Sequence, residues 1–125
     1  MRAPEIGYVN LYVSDLERSA SFFGEVLGLR EQHRDAEHGY ASFSAGLISL
    51  GIAVVDPADE KMRGLVGRPT GFGFCVDDLV EAHRELAARG VQFVMEPTRQ
   101  PWGGFLATFA DPDGNIFYLD QPGPH

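Results

Sequence analysis

At 125 residues the chain has the length of one ordinary domain, and its 44% hydrophobic and 22% charged residues are typical of a globular protein. Acidic residues outnumber basic ones by 18 to 10, and the net charge of −8 argues against nucleic acid and anionic membranes as partners, because both are bound by clustered Lys and Arg. A single cysteine excludes an intrachain disulfide and a multi-thiolate metal site. The N-terminal MRAPEIGY lacks the apolar segment of a secretory signal, so we expect a cytoplasmic protein.

The first half of the chain, residues 6–55, begins with a short β run and then changes to helical spacing. Four apolar residues fall on one face of the predicted helix: Leu16, Ala20, Phe23 and Leu27. Ser14 and Glu17 have the spacing of a capping box at its start, and Gly28 is placed to end it in a left-handed cap. Three more β runs are predicted, near residues 29–34, 40–44 and 47–55.

The pattern of the first half repeats over residues 70–121, after a stretch at 56–69 that has the Pro, Gly and charge of a surface linker. A β run leads into a predicted helix with Asp78 and Glu81 at capping-box spacing and Gly90 at its end. Further β runs are predicted near residues 91–96, 105–110 and 115–120. The chain is therefore predicted to be α+β, with two βαβββ modules in tandem. A repeat that occurs only twice favours pseudo-twofold pairing over a solenoid.

Three segments, in this order and spacing, closely resemble the vicinal oxygen chelate superfamily, which contains glyoxalases, extradiol dioxygenases and bleomycin-resistance proteins. They are VSDLERSASFFGEVLGL, VDDLVEAHRELAARGV and ATFADPDGNIFYL, and the resemblance covers residues 6–121. It implies a single domain over residues 1–125 in which the two modules form a cupped mixed sheet around a cavity, the glyoxalase/bleomycin resistance fold. It also implies a homodimer, because relatives usually cover their strand edges and concave faces with a second chain.

Metal-dependent members of that superfamily hold the metal with His and Glu at four places. The resemblance carries these places onto Tyr8, Ser49, Gly71 and Tyr118. Divalent metals in such sites need imidazole nitrogen or carboxylate oxygen, which none of these four residues supplies. The resemblance therefore predicts a member that lacks the metal ligands and takes neither a metal nor another cofactor.

Residues two apart on a strand share a face, so alternation predicts which residues face the concave side of the sheet. These residues mix small side chains, which leave space, with tyrosines that carry hydroxyls, as ligand pockets do. Trp102 stands in a Gly-flanked loop that lies where related binding proteins cover the pocket. The predicted ligand-binding residues are Tyr8, Asn10, Tyr12, Ser49, Gly71, Gly73, Trp102 and Tyr118. Two alternatives stay open, namely that the tyrosines plug the cup and that Trp102 only anchors a surface loop.

Several other residues of chemical interest favour structural roles. His33 and His38 flank a predicted hairpin turn beside acidic residues, which is more typical of a solvated turn than of a metal site. Cys75 falls on the concave face, but no motif supplies a base to activate it, so we expect a buried, inert thiol. Phe43 and Phe105 are expected in the core rather than against a ligand.

The sequence thus predicts a metal-free protein that binds and sequesters a small molecule, aromatic or cationic and drug-like. The alternative is an enzyme of the same fold, a lyase or isomerase acting on a small oxygenated substrate. It would use an unusual metal site, or Tyr8, Tyr118 or Asp120 in acid–base roles. Catalytic residues stay unassigned, because one fold hosts many functions. A purely structural partner domain would leave the small concave residues unexplained.

Overall fold

The computed structural model describes residues Met1 to Gly123, which divide into two compact units, one ending at Val66 and the other beginning at Gly67. The first unit contains β1 (Tyr8–Val13), α1 (Leu16–Ser21), a π-helical segment (Phe22–Val26), β2 (Glu31–Asp35), β3 (Tyr40–Ala45), β4 (Ile48–Val54) and a 3₁₀ turn (Arg63–Leu65). The second contains β5 (Pro69–Cys75), α2 (Leu79–Ala88), β6 (Gln92–Arg99), β7 (Phe105–Ala110) and β8 (Ile116–Asp120). The predicted α+β order of two βαβββ modules is confirmed.

Each unit has its own four-stranded mixed sheet. The strand order is β1-β4-β3-β2 in the first sheet and β5-β8-β7-β6 in the second. The first strand of each module pairs in parallel with the last, and the other pairs are antiparallel. A parallel pair needs a long crossover, which the helix and the two intervening strands provide. The strands β1 and β5 therefore each lie at an edge of their own sheet.

Alternation along β1 separates the two faces of the first sheet, as the sequence predicts. Leu11 and Val13 are buried, whereas Tyr8 is 65% exposed. The fully buried rings of Phe23 and Phe43 have centroids 6.1 Å apart, so the π-helical segment packs into the same core as β3. One face of the sheet is thus the apolar core of the unit, and the other carries polar and aromatic side chains.

The two helices begin at aspartates. Asp78 caps α2, because its carboxylate accepts a hydrogen bond from the backbone N–H of Glu81 at 3.1 Å. In α1 the cap is Asp15, whose carboxylate accepts from the N–H of Arg18 at 2.9 Å, so the predicted cap at Ser14 is wrong. The Ser14 hydroxyl instead accepts from the Arg18 guanidinium at 2.9 Å. A carboxylate is the stronger acceptor for a backbone N–H, which explains why Asp15 takes the cap position.

An aromatic cluster forms the core of the second unit, and α2 packs on the same side of the sheet. Its members are Phe72, Phe74, Phe93, Phe109 and Phe117. The rings of Phe109 and Phe117 are the most deeply buried, with centroids 5.4 Å apart. Leu79 of α2 is fully buried. This helix has 10 residues, and no helix within residues 1–123 is long and apolar enough to cross a membrane.

A buried polar turn joins the start of β5 to the start of β8. Asn115 is completely buried, and its side-chain amide donates to Asp111 Oδ2 at 2.9 Å while its Oδ1 accepts from the N–H of Gly67 at 2.8 Å. Asp111 Oδ1 accepts from the N–H groups of Asp113 and Asn115 at 3.0 and 2.8 Å. Burial raises the pKa of the Asp111 carboxyl, and its hydrogen bonds with Asn115 act in the opposite direction. The buried carboxylate of Asp111 and the buried amide of Asn115 therefore each have defined partners.

Asn115→Ala should lower the free energy of unfolding by about 3 kcal/mol, because it removes the donor to Asp111 Oδ2 in a buried carboxylate, removes the acceptor of the Gly67 N–H and empties a fully buried site. Chemical denaturation measures this loss. The matched control is Asp56→Ala, which removes an exposed carboxylate that accepts from the Ala58 N–H at 2.9 Å. That control should cost about 1 kcal/mol or less. Equal losses in the two variants would contradict the structural role of the turn.

Candidate functional site

The second unit contains a cavity of about 530 Å³ on the face of its sheet opposite the aromatic core. Two neighbouring strands supply half of its lining: Gly71, Gly73 and Cys75 from β5, and Tyr118 and Asp120 from β8. Burial alternates along both strands, so that these five residues are the more exposed ones. The predicted alternation of faces along β5 and β8 is therefore confirmed.

The remaining lining comes from the other two strands and the loop between them. Met95 lies on β6, Leu106 and Thr108 lie on β7, and Gln100 and Trp102 lie in or beside the β6–β7 loop. The sequence did not predict Met95, Gln100, Leu106 or Thr108 as site residues. Alternation on β7 could have identified Leu106 and Thr108, but β6 has two register irregularities that hide its facing residues from a simple period of two.

The glycines of β5 create the space. Gly71 has a φ of 77° at a register irregularity between Pro69 and Gly73, a backbone conformation that favours glycine. A Cβ atom at Gly71 would have no neighbour within 4 Å, and one at Gly73 would meet only Tyr118 Cβ at 3.5 Å. Gly73, and not Gly71, is the strand partner of Tyr118. The phenol of Tyr118 therefore stands beside a strand that carries no side chain against it.

Trp102 is held by its own loop. The loop is closed by hydrogen bonds from the Gln100 N–H to the Gly104 carbonyl at 2.7 Å and from the Gly103 N–H to the Gln100 carbonyl at 2.9 Å. The indole lies over Gly104, where an added Cβ would be 2.6 Å from Nε1. Trp102 nevertheless remains 73% exposed and lines the cavity. Trp102 can therefore contact its own loop and still present part of its indole to a ligand.

The first unit carries the other four predicted residues, Tyr8, Asn10, Tyr12 and Ser49, on β1 and β4. Tyr8 lies opposite Ser49, whose hydroxyl donates to Gln32 Oε1 at 2.9 Å. Asn10 lies opposite Gly51, where an added Cβ would clash with Asn10 Oδ1 and lie 2.6 Å from the hydroxyl oxygen of Tyr40. The side chains of the unit itself thus occupy the space above Gly51, and the sequence did not predict this role for Tyr40.

The four positions that the resemblance assigns to metal ligands lie on neighbouring strands, two in each unit. Tyr8 lies opposite Ser49. Tyr118 lies opposite Gly73, and Gly71 is two residues before Gly73 on β5. Two phenols, one hydroxyl and one hydrogen do not match the imidazole and carboxylate donors that divalent metals take in such sites. The residues at these positions therefore do not fit the metal of the metal-dependent relatives.

A separate group of possible ligand atoms lies in the β2–β3 turn. Asp35, Glu37 and His38 place one ligand atom each within 4.8 Å of one another. His38 Nδ1 is 2.8 Å from Asp35 Oδ2, and this hydrogen bond lowers the pKa of the Asp35 carboxyl. Glu37 and His38 are exposed, and His33 is exposed and outside the group. This exposure agrees with the predicted solvated turn.

The predictions for Cys75 and Phe43 have opposite outcomes. Cys75 is exposed and lines the cavity, so the predicted buried thiol is wrong. The reason is that Cys75 lies on the cavity face of β5, and no helix within residues 67–123 packs on that face. Phe43 is fully buried in the core, as predicted. Phe105 is half-buried, and the Arg99 guanidinium lies 4.7 Å from its ring centroid.

Comparison with known proteins agrees with this architecture. A model of the Glyoxalase/Bleomycin resistance protein/Dioxygenase superfamily matches residues 5–119. A lactoylglutathione lyase of Pseudomonas aeruginosa is 32% identical over 83% of this chain and 74% of that protein. A bleomycin resistance protein of Klebsiella pneumoniae is 31% identical over 90% of this chain and 88% of that protein.

A solved structure extends the comparison to three dimensions. TnmS3, described as an antibiotic binding protein from Streptomyces sp. CB03234, is 28% identical and covers 98% of this chain and 99% of its own, with a TM-score of 0.77. Its likeness spans both βαβββ modules, as does the family match. The chain belongs to the Glyoxalase/Bleomycin resistance protein/Dioxygenase superfamily.

Proposed function

We propose that this protein binds and sequesters a planar aromatic or cationic small molecule, without a metal and without changing it chemically. The observation that carries the proposal is the cavity of the second unit, where Trp102 and Tyr118 stand beside the bare backbone of Gly71 and Gly73. Its volume of about 530 Å³ lies within the range of small-molecule pockets.

The lining suits stacking more than it suits chemistry. Trp102 and Tyr118 offer aromatic faces, and Met95 and Leu106 offer flexible apolar surface. Each aromatic or cation–π contact contributes on the order of 1 kcal/mol beyond apolar burial. Two or three such contacts together with apolar burial would bring the dissociation constant to about the micromolar range.

The names of two relatives support the binding of a small molecule. One relative is a bleomycin resistance protein, and TnmS3 is an antibiotic binding protein. One name states resistance to a compound, and the other description states binding of an antibiotic. We carry this property to the present chain as a proposal, because the two relatives span nearly all of it.

An enzyme remains the second candidate, because a relative at 32% identity is a lactoylglutathione lyase. In that case the phenol of Tyr118 and the carboxylate of Asp120 would be the acid–base groups within the cavity. Recovery of the bound compound in altered form, or lactoylglutathione lyase activity of the purified protein, would favour this candidate.

We also propose that the protein is a homodimer. Each sheet has two edge strands, β1 and β2 in the first and β5 and β6 in the second, and an edge strand offers a second chain an unpaired row of backbone groups. Twofold assemblies are the commonest among soluble oligomers. Light scattering at micromolar concentration should give twice the chain mass of 13.7 kDa, and the mass of a single chain would refute the dimer.

Gly73→Leu should weaken binding of 9-aminoacridine, a planar aromatic cation, by about tenfold or more, because the new side chain occupies the cavity beside Tyr118. The titration is monitored by the quenching of the fluorescence of Trp102, the only tryptophan. Gly73 is a better choice than Gly71, since its φ is not positive and the backbone accepts a side chain. Mass spectrometry of the recovered compound should show it unchanged.

The matched control is Gly64→Leu, which adds the same side chain in open space in the first unit and should leave the affinity unchanged. Gly104→Ala tests the tryptophan separately, because its methyl group would displace the indole and should also weaken binding. If 9-aminoacridine binds wild type and Gly73→Leu equally well, the cavity of the second unit is not the site.

A further inference from the structure

We propose that Asp120 recognises one positive charge on the ligand. The cavity would then select planar aromatic molecules with a single protonated amine over neutral or anionic molecules of the same shape. This inference rests on the proposed function, since it names the ligand class that the same cavity takes. It adds a charge-recognising residue to a site whose stacking residues are Trp102 and Tyr118.

The lining of the cavity contains one formal charge. Asp120 is the only lining residue that is charged at pH 7, and no Lys or Arg is among the lining residues. The other polar groups of the lining are the Thr108 hydroxyl, the Gln100 amide, the Tyr118 phenol and the Cys75 thiol. An anion would find no cation here. A cation would find a carboxylate close to aromatic rings, whose faces also attract positive charge.

The Asp120 carboxylate has no partner among residues 1–123. The backbone carbonyl of Asp120 accepts from the Val76 N–H at 2.9 Å, but its side chain forms no hydrogen bond or ion pair with that part of the chain. Its neighbours across the strands are Cys75 on β5 and Leu106 on β7. A thiol is a weak donor, and Leu has no donor at all. The acceptor capacity of this half-buried carboxylate is therefore available to a ligand.

The first unit provides an internal comparison. Tyr12 and Cys75 each stand three residues before the aspartate that caps the following helix. Tyr12 lies opposite Ala53, and Cys75 lies opposite Asp120. Asp120 thus occupies the place that Ala53 occupies in the other module. The carboxylate is found in the module whose face forms a cavity, and a methyl group is found in the module whose corresponding face is occupied by Asn10.

The residue proposed to stack on the ligand and the residue proposed to bind its charge are close together on one strand. Tyr118 and Asp120 are two residues apart on β8 and share its cavity face. A ring that stacks on Tyr118 can therefore direct an amine on its edge towards Asp120. Because the site offers one carboxylate, a monocation satisfies it, while a second positive charge would find no partner in the lining.

Three probes with the same tricyclic ring test the inference. They are 9-aminoacridine, which is a cation at neutral pH, acridine, which is neutral, and acridine-9-carboxylate, which is an anion. Equilibrium dialysis against wild type at low salt should show that 9-aminoacridine binds about tenfold more tightly than acridine, and that the anion binds least. Raising the salt concentration from about 0.05 to about 0.5 M should reduce this preference.

Asp120→Asn keeps the shape of the side chain and removes its charge. It should bring the affinity ratio of 9-aminoacridine to acridine close to one. The control is Glu85→Gln, an exposed residue of α2 that does not line the cavity, which changes the net charge equally and should preserve the ratio. An unfolding midpoint for each variant verifies that it is folded.

The outcomes separate this inference from the proposed function. If acridine and 9-aminoacridine bind wild type equally, or if Asp120→Asn preserves the preference, Asp120 does not recognise charge, although the cavity still binds aromatics. If Glu85→Gln lowers the ratio as much as Asp120→Asn, the preference comes from net charge alone and the inference fails. If none of the three probes binds, the inference and the proposed function both fail for tricyclic aromatics.

Discussion

The hydrogen bonds between Asp111 and Asn115 are the constraint on which the candidate site depends. They close the turn before β8, and the same Asn115 side chain binds the Gly67 N–H just before β5. Apolar packing of the phenylalanine cluster is non-directional and would tolerate a shift of one strand along another. Buried hydrogen bonds do not tolerate it, because each lost partner costs about 1–3 kcal/mol. These polar contacts outside the cavity therefore hold the start of β8 against the start of β5, and the pairing continues from there to Tyr118 opposite Gly73.

The two modules share a backbone plan and differ in how they use the polar face of the sheet. In the first, the side chains of Asn10 and Tyr40 occupy the space above Gly51. In the second, the corresponding strands carry Gly73 and Tyr118, and the face forms a cavity. A few side chains thus decide whether the space above a strand is filled, as above Gly51, or left open, as beside Tyr118. For this reason we propose binding in the second module.

The sequence was sufficient for the order of the elements and for the faces of β1, β5 and β8, since a period of two depends on local geometry alone. It was not sufficient for features that depend on contacts across the chain. The position of Tyr40 over Gly51, the indole of Trp102 over Gly104 and the exposure of Cys75 all depend on which element covers which. Similarly, a capping box at Ser14 was plausible by spacing, but the neighbouring Asp15 is the better acceptor.

The most direct test of the central claim is to map where a planar aromatic ligand contacts the protein. Two-dimensional ¹H–¹⁵N NMR spectra of the labelled protein during addition of 9-aminoacridine would provide this map. We expect the largest shifts at the backbone N–H groups of Gly71, Gly73 and Tyr118 and at the indole N–H of Trp102. Larger shifts along β1 and β4, with β5 and β8 unaffected, would contradict the assignment of the site to the second unit.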